Sequence, residues 1–230
     1  GIAAAEGKYT RMLDSDDIFP LDSTQKMVQL AEELSADMVY GTFTKTGKEP
    51  TELEHEFMND NFTYDFDKDA LRTVLTGRFT RMGQLIRTEV LQKAGGADER
   101  VFIQDESIPL RAALHARGIV KIHDNVVLVP KELGNFSGNK VQLDNDRFMA
   151  YCYMILDNPQ LPADIRKMLY ARALSAYWKF VKKTSRLPYL KPVFFKYLIS
   201  KVNPQLPDIQ YLKKMQQIFL KLPNVRRIKN

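Results

Sequence analysis

Short apolar segments alternate with helical repeats along the first 130 residues, and this alternation constrains the fold more than any other feature of the chain. Residues 9–13, 37–44 and 120–129 are rich in the aromatic and β-branched side chains that favour strands. Apolar residues at helical spacing lie between these segments and predict helices over residues 67–75, 88–94 and 105–117. The pattern predicts an α/β fold with a layered sheet.

The character of the sequence changes near residue 142. Helical repeats follow at residues 144–156 and 163–183, and prolines interrupt the remainder of the chain. A chain of 230 residues has room for one large domain, or for one domain and an appendage. We therefore predict two parts, an α/β part over residues 1–142 and a helical, basic part over residues 143–230.

Positive charge is concentrated at the C-terminal end. The net charge is +6, but residues 182–230 alone contribute +11, because they contain twelve Lys or Arg and a single acid, Asp208. A basic segment attached to an acidic body favours contact with an anionic surface. Nucleic acid is not the predicted partner, because the excess of positive charge is confined to this segment and no nucleic-acid-binding motif accompanies it.

One stretch of the basic segment is clearly amphipathic. Six apolar residues fall within an arc of about 120° on a helical wheel, namely Tyr211, Leu212, Met215, Ile218, Phe219 and Leu222. Two interpretations are open: this helix binds an anionic membrane surface, within residues 186–229, or its apolar stripe packs on the body of the protein. Residues 189–201 are aromatic and basic, but their lysines spread around the wheel, so no interfacial face is predicted there.

Three carboxylates follow the first predicted strand. Asp14, Asp16 and Asp17 stand where open α/β sheets bind ligands, and a divalent cation would relieve their mutual repulsion. The chain contains one cysteine, Cys152, and three scattered histidines, so the predicted metal is one held by oxygen, Mn²⁺ or Mg²⁺. An acidic turn that caps the next helix is the alternative interpretation.

Two segments carry a family resemblance. The first, GIAAAEGKYTRMLDSDD, resembles the family 2 glycosyltransferases, in which A-x-G-x-Y leads into a strand that ends in L-D-x-D-D. The second, RTEVLQKAGGADERVFIQDESIPLRAALHARG, looks like another signature of that family, in which a helix ends in glycines and an E-D pair then opens a helix with an arginine. The resemblance covers roughly residues 1–142.

The resemblance implies both a fold and a reaction. The fold is a GT-A-like layered sheet, and the family's nucleotide-binding segment is expected to precede Gly1. The reaction is inverting, metal-dependent transfer of a sugar from a nucleoside diphosphate-sugar to a hydroxyl of a saccharide or lipid-linked saccharide, in cell-surface polysaccharide or glycolipid synthesis. Asp14, Asp16 and Asp17 would bind the metal ion and the diphosphate.

The second segment assigns a catalytic base by the same resemblance. Asp105 would remove the proton of the acceptor hydroxyl as the anomeric carbon is attacked. Gln104 stands where the family has glutamate, and Glu106 follows directly, so Asp105 and Glu106 are both candidates. Gln104 and Arg111 are predicted to contact the donor. The two groups of carboxylates are expected to flank one cleft.

Two other functions are open from the sequence. A catalytically inactive, membrane-associated scaffold derived from such a transferase would keep the fold without the reaction. A haloacid-dehalogenase-like phosphatase also has D-x-D after a strand, although its remaining motifs are not found here. The single cysteine fits a reducing compartment. We therefore expect a cytoplasmic protein, peripheral on the inner membrane face if the basic segment binds lipid.

Overall fold

The chain adopts an α/β fold followed by a helical C-terminal part, which confirms the predicted fold class. A computed structural model describes residues 1–15, 17–53, 55–76, 83–130, 139–223 and 225–228. The chain divides into two compact units: unit 1 is Gly1–Ala97 with Ile108–Asn135, and unit 2 is Asp98–Ser107 with Phe136–Asn230. Unit 2 thus includes residues 98–107, which the sequence analysis assigns to the first part.

Unit 1 is built on a mixed sheet of five strands. These are β1 (Tyr9–Arg11), β2 (Met38–Lys45), β3 (Tyr64–Asp67), β4 (Leu85–Arg87) and β5 (Ile119–Val129), in the spatial order β1-β4-β2-β5-β3. The two long strands, β2 and β5, run parallel, and the other three pairings are antiparallel. The strands that carry the longest apolar sequences therefore lie inside the sheet.

One helix covers the apolar side of this sheet. Met27, Leu30 and Ala31 project from α1 (Ser23–Glu33) into a core that includes Val120 and Ile122 of β5. Burial of these side chains is the main stabilising contribution in unit 1. The shorter helices are α2 (Pro50–Leu53), α3 (Ala70–Leu75), α4 (Thr88–Lys93) and α5 (Ser107–Ala113).

Strands β3 and β4 are absent from the prediction for physical reasons. All four residues of β3 are exposed, so the strand lacks the alternation of buried and exposed positions that marks a strand in sequence. Strand β4 has three residues, too few for a period to be recognised. Both strands are held by backbone pairing to neighbours that lie far away in the chain, at β5 and at β1 and β2.

A buried carboxylate joins three parts of unit 1. Asp37, which is 2% exposed and directly precedes β2, accepts hydrogen bonds from Arg87 Nε and Arg117 Nη2, both at 2.7 Å. The backbone N–H of Arg117 donates a further bond to it, at 2.8 Å. Burial alone disfavours the charged form, but the bonds from Arg117 and Arg87 outweigh it, so the pKa of Asp37 is lowered.

We expect Asp37→Asn to lower the free energy of unfolding by about 2 kcal/mol at neutral pH. The folded-state pKa of Asp37 lies below the unfolded value of about 3.9, so the stabilisation is complete above that value and is lost as pH falls through the folded-state pKa. The difference between the two proteins should therefore shrink in acid. Urea unfolding followed by circular dichroism, at pH 7 and near pH 3, checks this. An equal difference at both values would contradict it.

Unit 2 is helical apart from its connections. Its elements are α6 (Lys140–Asp157), α7 (Ala163–Thr184), a 3₁₀ turn (Pro188–Leu190), α8 (Pro192–Val202) and α9 (Ile209–Leu220). The side chains of Asn139 and Asp208 cap α6 and α9 by accepting bonds from the backbone of Gln142 and Tyr211. Among the described residues, no helix combines the length and apolar character needed to cross a bilayer.

The apolar stripe of α9 packs inside unit 2. Leu212, Met215 and Phe219 are at most 1% exposed. The ring of Phe219 lies 4.7 Å from that of Phe148 in α6 and 4.8 Å from that of Phe180 in α7. The packing interpretation therefore describes these three residues of the stripe, while Ile218 of the same stripe is 39% exposed.

Candidate active site

The acidic turn is held at both ends by the sheet. It follows β1, which pairs with β4, and it ends at Ile18, which exchanges backbone hydrogen bonds of 2.8 and 2.9 Å with Leu128 of β5. Within the turn, the N–H of Asp17 donates to the carbonyl of Asp14 at 3.1 Å. Asp14 is exposed and Asp17 is half-buried. The turn is thus fixed to two strands while its first carboxylate faces solvent.

A partly buried arginine lies just before this turn and was not among the predicted site residues. Arg11 Nη2 donates to the carbonyl of Val126 at 2.6 Å, and Arg11 Nε donates to the carbonyl of Gly83 at 3.1 Å. The guanidinium also lies 3.4 Å from the ring centre of Phe19. Burial lowers the pKa of Arg11 to about 10, so it remains charged at neutral pH. The sequence feature that could have pointed to Arg11 is its position just before the carboxylates.

Gly83 has a steric reason to be glycine. Its φ is +61°, and a Cβ there would lie 2.1 Å from Cγ2 of Val127. Any side chain would displace the segment that accepts the bond from Arg11 Nε. Glycine at position 83 therefore lets the backbone lie directly against the side chain of Val127.

Asp14 and Asp17 lie on one short turn and offer carboxylate oxygens. Oxygen ligands of this kind suit a hard cation. Asp16, the third predicted ligand, lies outside the described residues. Among the residues that are described, no group of three His, Cys, Asp or Glu side chains comes together in a way that could hold a metal. The Mn²⁺ or Mg²⁺ site at these aspartates remains a prediction.

Asp105 lines a cavity in unit 2. The cavity has a volume of about 290 Å³, and its walls also include Phe102, Ile103, Gln142 and Arg226. The side chain of Asp105 is exposed. An exposed carboxylate on the wall of a cavity can reach the hydroxyl group of a bound molecule, which is the geometry that a general base requires.

Gln104 holds the loop that carries Asp105. Its Nε2 donates to the carbonyl of Asp98 at 2.8 Å and also to that of Val101. Its Oε1 accepts from the N–H of Asp98 at 3.1 Å. Asp98 in turn forms a double hydrogen bond with Arg100. These bonds within the loop position Asp105, and the predicted contact of Gln104 with the donor stays a prediction.

Glu106 lies in a different environment from its neighbour. It is 6% exposed, and its two oxygens accept from Arg147 Nε at 3.0 Å and from the hydroxyl of Tyr151 at 2.9 Å. A buried carboxylate with both oxygens occupied is suited to holding α6, because breaking such a pair leaves a buried charge. Of the two candidate bases, Asp105 is therefore the one whose surroundings suit proton transfer.

Two residues of α6 near the loop and cavity of Asp105 were not predicted. Asp146 is buried, accepts from the N–H of Ile103 at 2.9 Å and from Gln142 Nε2 at 2.8 Å, and has a pKa raised by that burial. Gln142 also exchanges bonds with the backbone of Arg226 near the end of the chain. The i, i+4 spacing of Gln142 and Asp146 on a helix was the only signal in the sequence.

Arg111 belongs to unit 1 and ties two helices together. From α5, its Nε donates to the carbonyl of Ala94 at the end of α4, at 3.1 Å. Its predicted contact with the donor stays a prediction. The expectation that Asp14 and Asp105 flank one cleft also stays a prediction, since these two residues belong to different units.

Comparison with known proteins relates part of this chain to a known family. The model of glycosyl transferase family 2 matches residues 1–95, which include β1 and the acidic turn. The predicted resemblance is thereby confirmed over these residues. The sheet of unit 1 has the GT-A-like fold of glycosyltransferases, as the solved structures below show.

Solved structures of TarS from S. aureus are similar to this chain. The structure of TarS 1–349 in complex with UDP-GlcNAc has a TM-score of 0.60 and 14% identity, over 95% of this chain and 67% of that chain. The complex of TarS 1–349 with UDP has a TM-score of 0.53 and 12% identity, over 96% and 69%. A further TarS structure, also with a TM-score of 0.53 and 12% identity, is matched over 94% of this chain and 41% of its own. A comparison with curated proteins found no match.

Proposed function

We propose that this protein transfers a sugar from a nucleoside diphosphate-sugar to an acceptor hydroxyl, with inversion at the anomeric carbon. The observation that carries the proposal is the environment of Asp105, an exposed carboxylate on a cavity wall whose loop is fixed by Gln104 and Asp146. The fold shared with TarS, which has been solved with UDP-GlcNAc and with UDP, supports a donor of this kind.

The proposed chemistry needs one base and one leaving group. A carboxylate oxygen of Asp105 accepts the proton of the acceptor hydroxyl, and the oxygen of that hydroxyl forms a bond to the anomeric carbon. The bond from that carbon to the diphosphate breaks, and the nucleoside diphosphate leaves with the electron pair. Attack on the face opposite the leaving group inverts the configuration.

Asp14, Asp16 and Asp17 are the residues proposed to hold Mn²⁺ or Mg²⁺ for this reaction. A divalent ion held there would neutralise the negative charge that develops on the departing diphosphate. The chain's own contribution is to present Asp14 and Asp17 on a turn anchored to β1, β4 and β5. Arg11, just before the turn, bonds to the carbonyls of Gly83 and Val126.

The proposed acceptor is a saccharide or a lipid-linked saccharide, in the synthesis of cell-surface polysaccharide or glycolipid, and the proposed location is the cytoplasm. An inactive scaffold is the alternative function, and measurement of UDP binding distinguishes it from a transferase. A haloacid-dehalogenase-like phosphatase is disfavoured, because the sheet matches that of a glycosyltransferase and β1 is an edge strand paired antiparallel to β4.

We expect metal-dependent binding of UDP to the whole protein, measured by calorimetry with Mn²⁺ present and absent. Asp14→Asn should weaken that binding by at least about tenfold, because a charged oxygen ligand is lost. Asp105→Asn is the matched control and should leave UDP binding unchanged. If neither UDP nor other nucleoside diphosphates bind with metal present, the scaffold alternative replaces the transferase.

A further inference from the structure

Helix α8 presents an apolar face to solvent. Phe195, Leu198, Ile199 and Val202 are 55%, 45%, 52% and 90% exposed, respectively. They follow the i, i+3, i+4, i+7 spacing, which puts them on one side of a helix within an arc of about 100°. Single exposed apolar residues are ordinary, but a continuous helical stripe of them needs an explanation. We name these four residues the α8 face.

The opposite side of α8 is attached to unit 2. Val193 and Ser200 are buried, at 1% and 5% exposure. The ring of Trp178 in α7 lies 5.0 Å from the ring of Phe194 and 6.1 Å from that of Tyr197. Because α8 is already held through this second side, the α8 face is not needed to pack the helix onto unit 2.

Further exposed apolar residues adjoin α8 in the chain. Leu187 and Leu190, just before the helix, are 60% and 72% exposed, and Leu206, just after it, is 50% exposed. An apolar surface therefore continues through the 3₁₀ turn into α8 and the segment that follows. The helix itself is about 16 Å long, so it suits an orientation parallel to a membrane surface.

The charged residues within and just before α8 are all basic, and the acid that follows, Asp208, lies 3.4 Å from Nζ of Lys196. Residues 182–207 contain no Asp or Glu, and they include Arg186, Lys191, Lys196 and Lys201. On the helical wheel, Lys196 and Lys201 lie about 60° beyond either edge of the α8 face. Lysines at the borders of an apolar stripe can place their ammonium groups at lipid phosphates while the stripe enters the acyl boundary.

We propose that the α8 face binds an anionic lipid surface. The apolar stripe supplies the insertion, and the surrounding Lys and Arg supply attraction to negative headgroups. Sequence periodicity left membrane binding and packing both open for α9 and predicted no interfacial face in residues 189–201. In the structure, α9 packs the centre of its stripe against Phe148 and Phe180, whereas α8 exposes an apolar stripe.

The test uses the full chain and needs no sugar donor, so its result is independent of the proposed enzymatic function. Vesicles of phosphatidylglycerol and phosphatidylcholine are compared with vesicles of phosphatidylcholine alone. Binding is measured by sedimentation and by energy transfer to a dansyl-labelled lipid from Trp178, the single tryptophan, which contacts α8. We expect binding to the anionic vesicles only, weakening as salt is raised.

Two sets of variants separate insertion from attraction. Leu198→Ser with Val202→Ser should reduce the partition coefficient at least about tenfold. Lys191→Gln with Lys201→Gln should reduce it roughly 25-fold, at about fivefold for each charge near the surface. Phe57→Ser is the matched control, because Phe57 is 63% exposed in unit 1, away from α8 in the chain, and it should change nothing.

Three results would overturn the proposal. The first is a lack of binding to anionic vesicles at low salt. The second is equal binding by the wild type and the Leu198→Ser, Val202→Ser variant, with circular dichroism showing both folded. The third is self-association in the ultracentrifuge that this variant abolishes while vesicles remain unbound, which would assign the α8 face to a second copy of the chain.

Discussion

Replacing Asp105 with asparagine in the whole protein is expected to reduce the rate of sugar transfer by about 10²–10⁴-fold. Asparagine keeps the size of the side chain and its place on the cavity wall but does not accept a proton from the acceptor. The measurement is the initial rate with UDP-GlcNAc, or with whichever nucleotide-sugar the protein accepts. The affinity for the nucleoside diphosphate should be unchanged, because the proposed diphosphate ligands lie at Asp14, Asp16 and Asp17.

Glu106→Gln is the matched control, one residue away. Because Glu106 is buried and bonded to Arg147 and Tyr151, we expect its replacement to act on stability, by roughly 3 kcal/mol. At a temperature where the variant is still folded, its rate should stay near that of the wild type. If the folded Glu106→Gln variant loses transfer while Asp105→Asn keeps it, the base is Glu106 and our assignment is wrong.

Phe219→Ala is expected to destabilise unit 2 by about 3–5 kcal/mol. The ring is fully buried and lies against Phe148, Tyr177 and Phe180, so its removal leaves a cavity between α6, α7 and α9. Urea unfolding followed by the fluorescence of Trp178 reports this change, because Trp178 lies in α7 of the same unit.

Leu220→Ala provides the comparison within the same helix. Leu220 is 40% exposed, and its truncation should change stability by no more than roughly 0.5 kcal/mol. A difference of several kcal/mol between these adjacent residues would confirm that α9 packs through one side only. Equal, small effects would show that the α9 stripe is not buried in solution and would restore the membrane interpretation for that helix.

Local patterns in the sequence predicted much of the fold. β2 and β5 lie where the apolar segments predict strands, and α6 and α7 lie where helical repeats predict helices. β3 was not predicted, because an exposed edge strand gains its stability from backbone pairing with β5, which leaves no mark in local hydrophobicity.

The sequence predicted the motifs of the candidate site but not the residues that hold them in place. The acidic turn after β1 and the loop before α5 both follow from short motifs, which are local. The residues that support them, Arg11, Gln142 and Asp146, bond to backbone groups that are distant in the chain or to a loop from another element. Such pairings are created by folding and have no fixed spacing in sequence.

By itself, the sequence determined the α/β class, the family resemblance and the concentration of positive charge near the C-terminus, since each depends on which residues occur and how they are spaced. Only the tertiary structure showed that Glu106 is buried while Asp105 is exposed, and that α8 has an exposed apolar face while the centre of the α9 stripe is buried. Both differences concern which side chains face solvent. Exposure depends on what packs against a side chain, and in this protein the packing comes from other helices, such as α6 against Glu106 and against Phe219, which are distant in the chain.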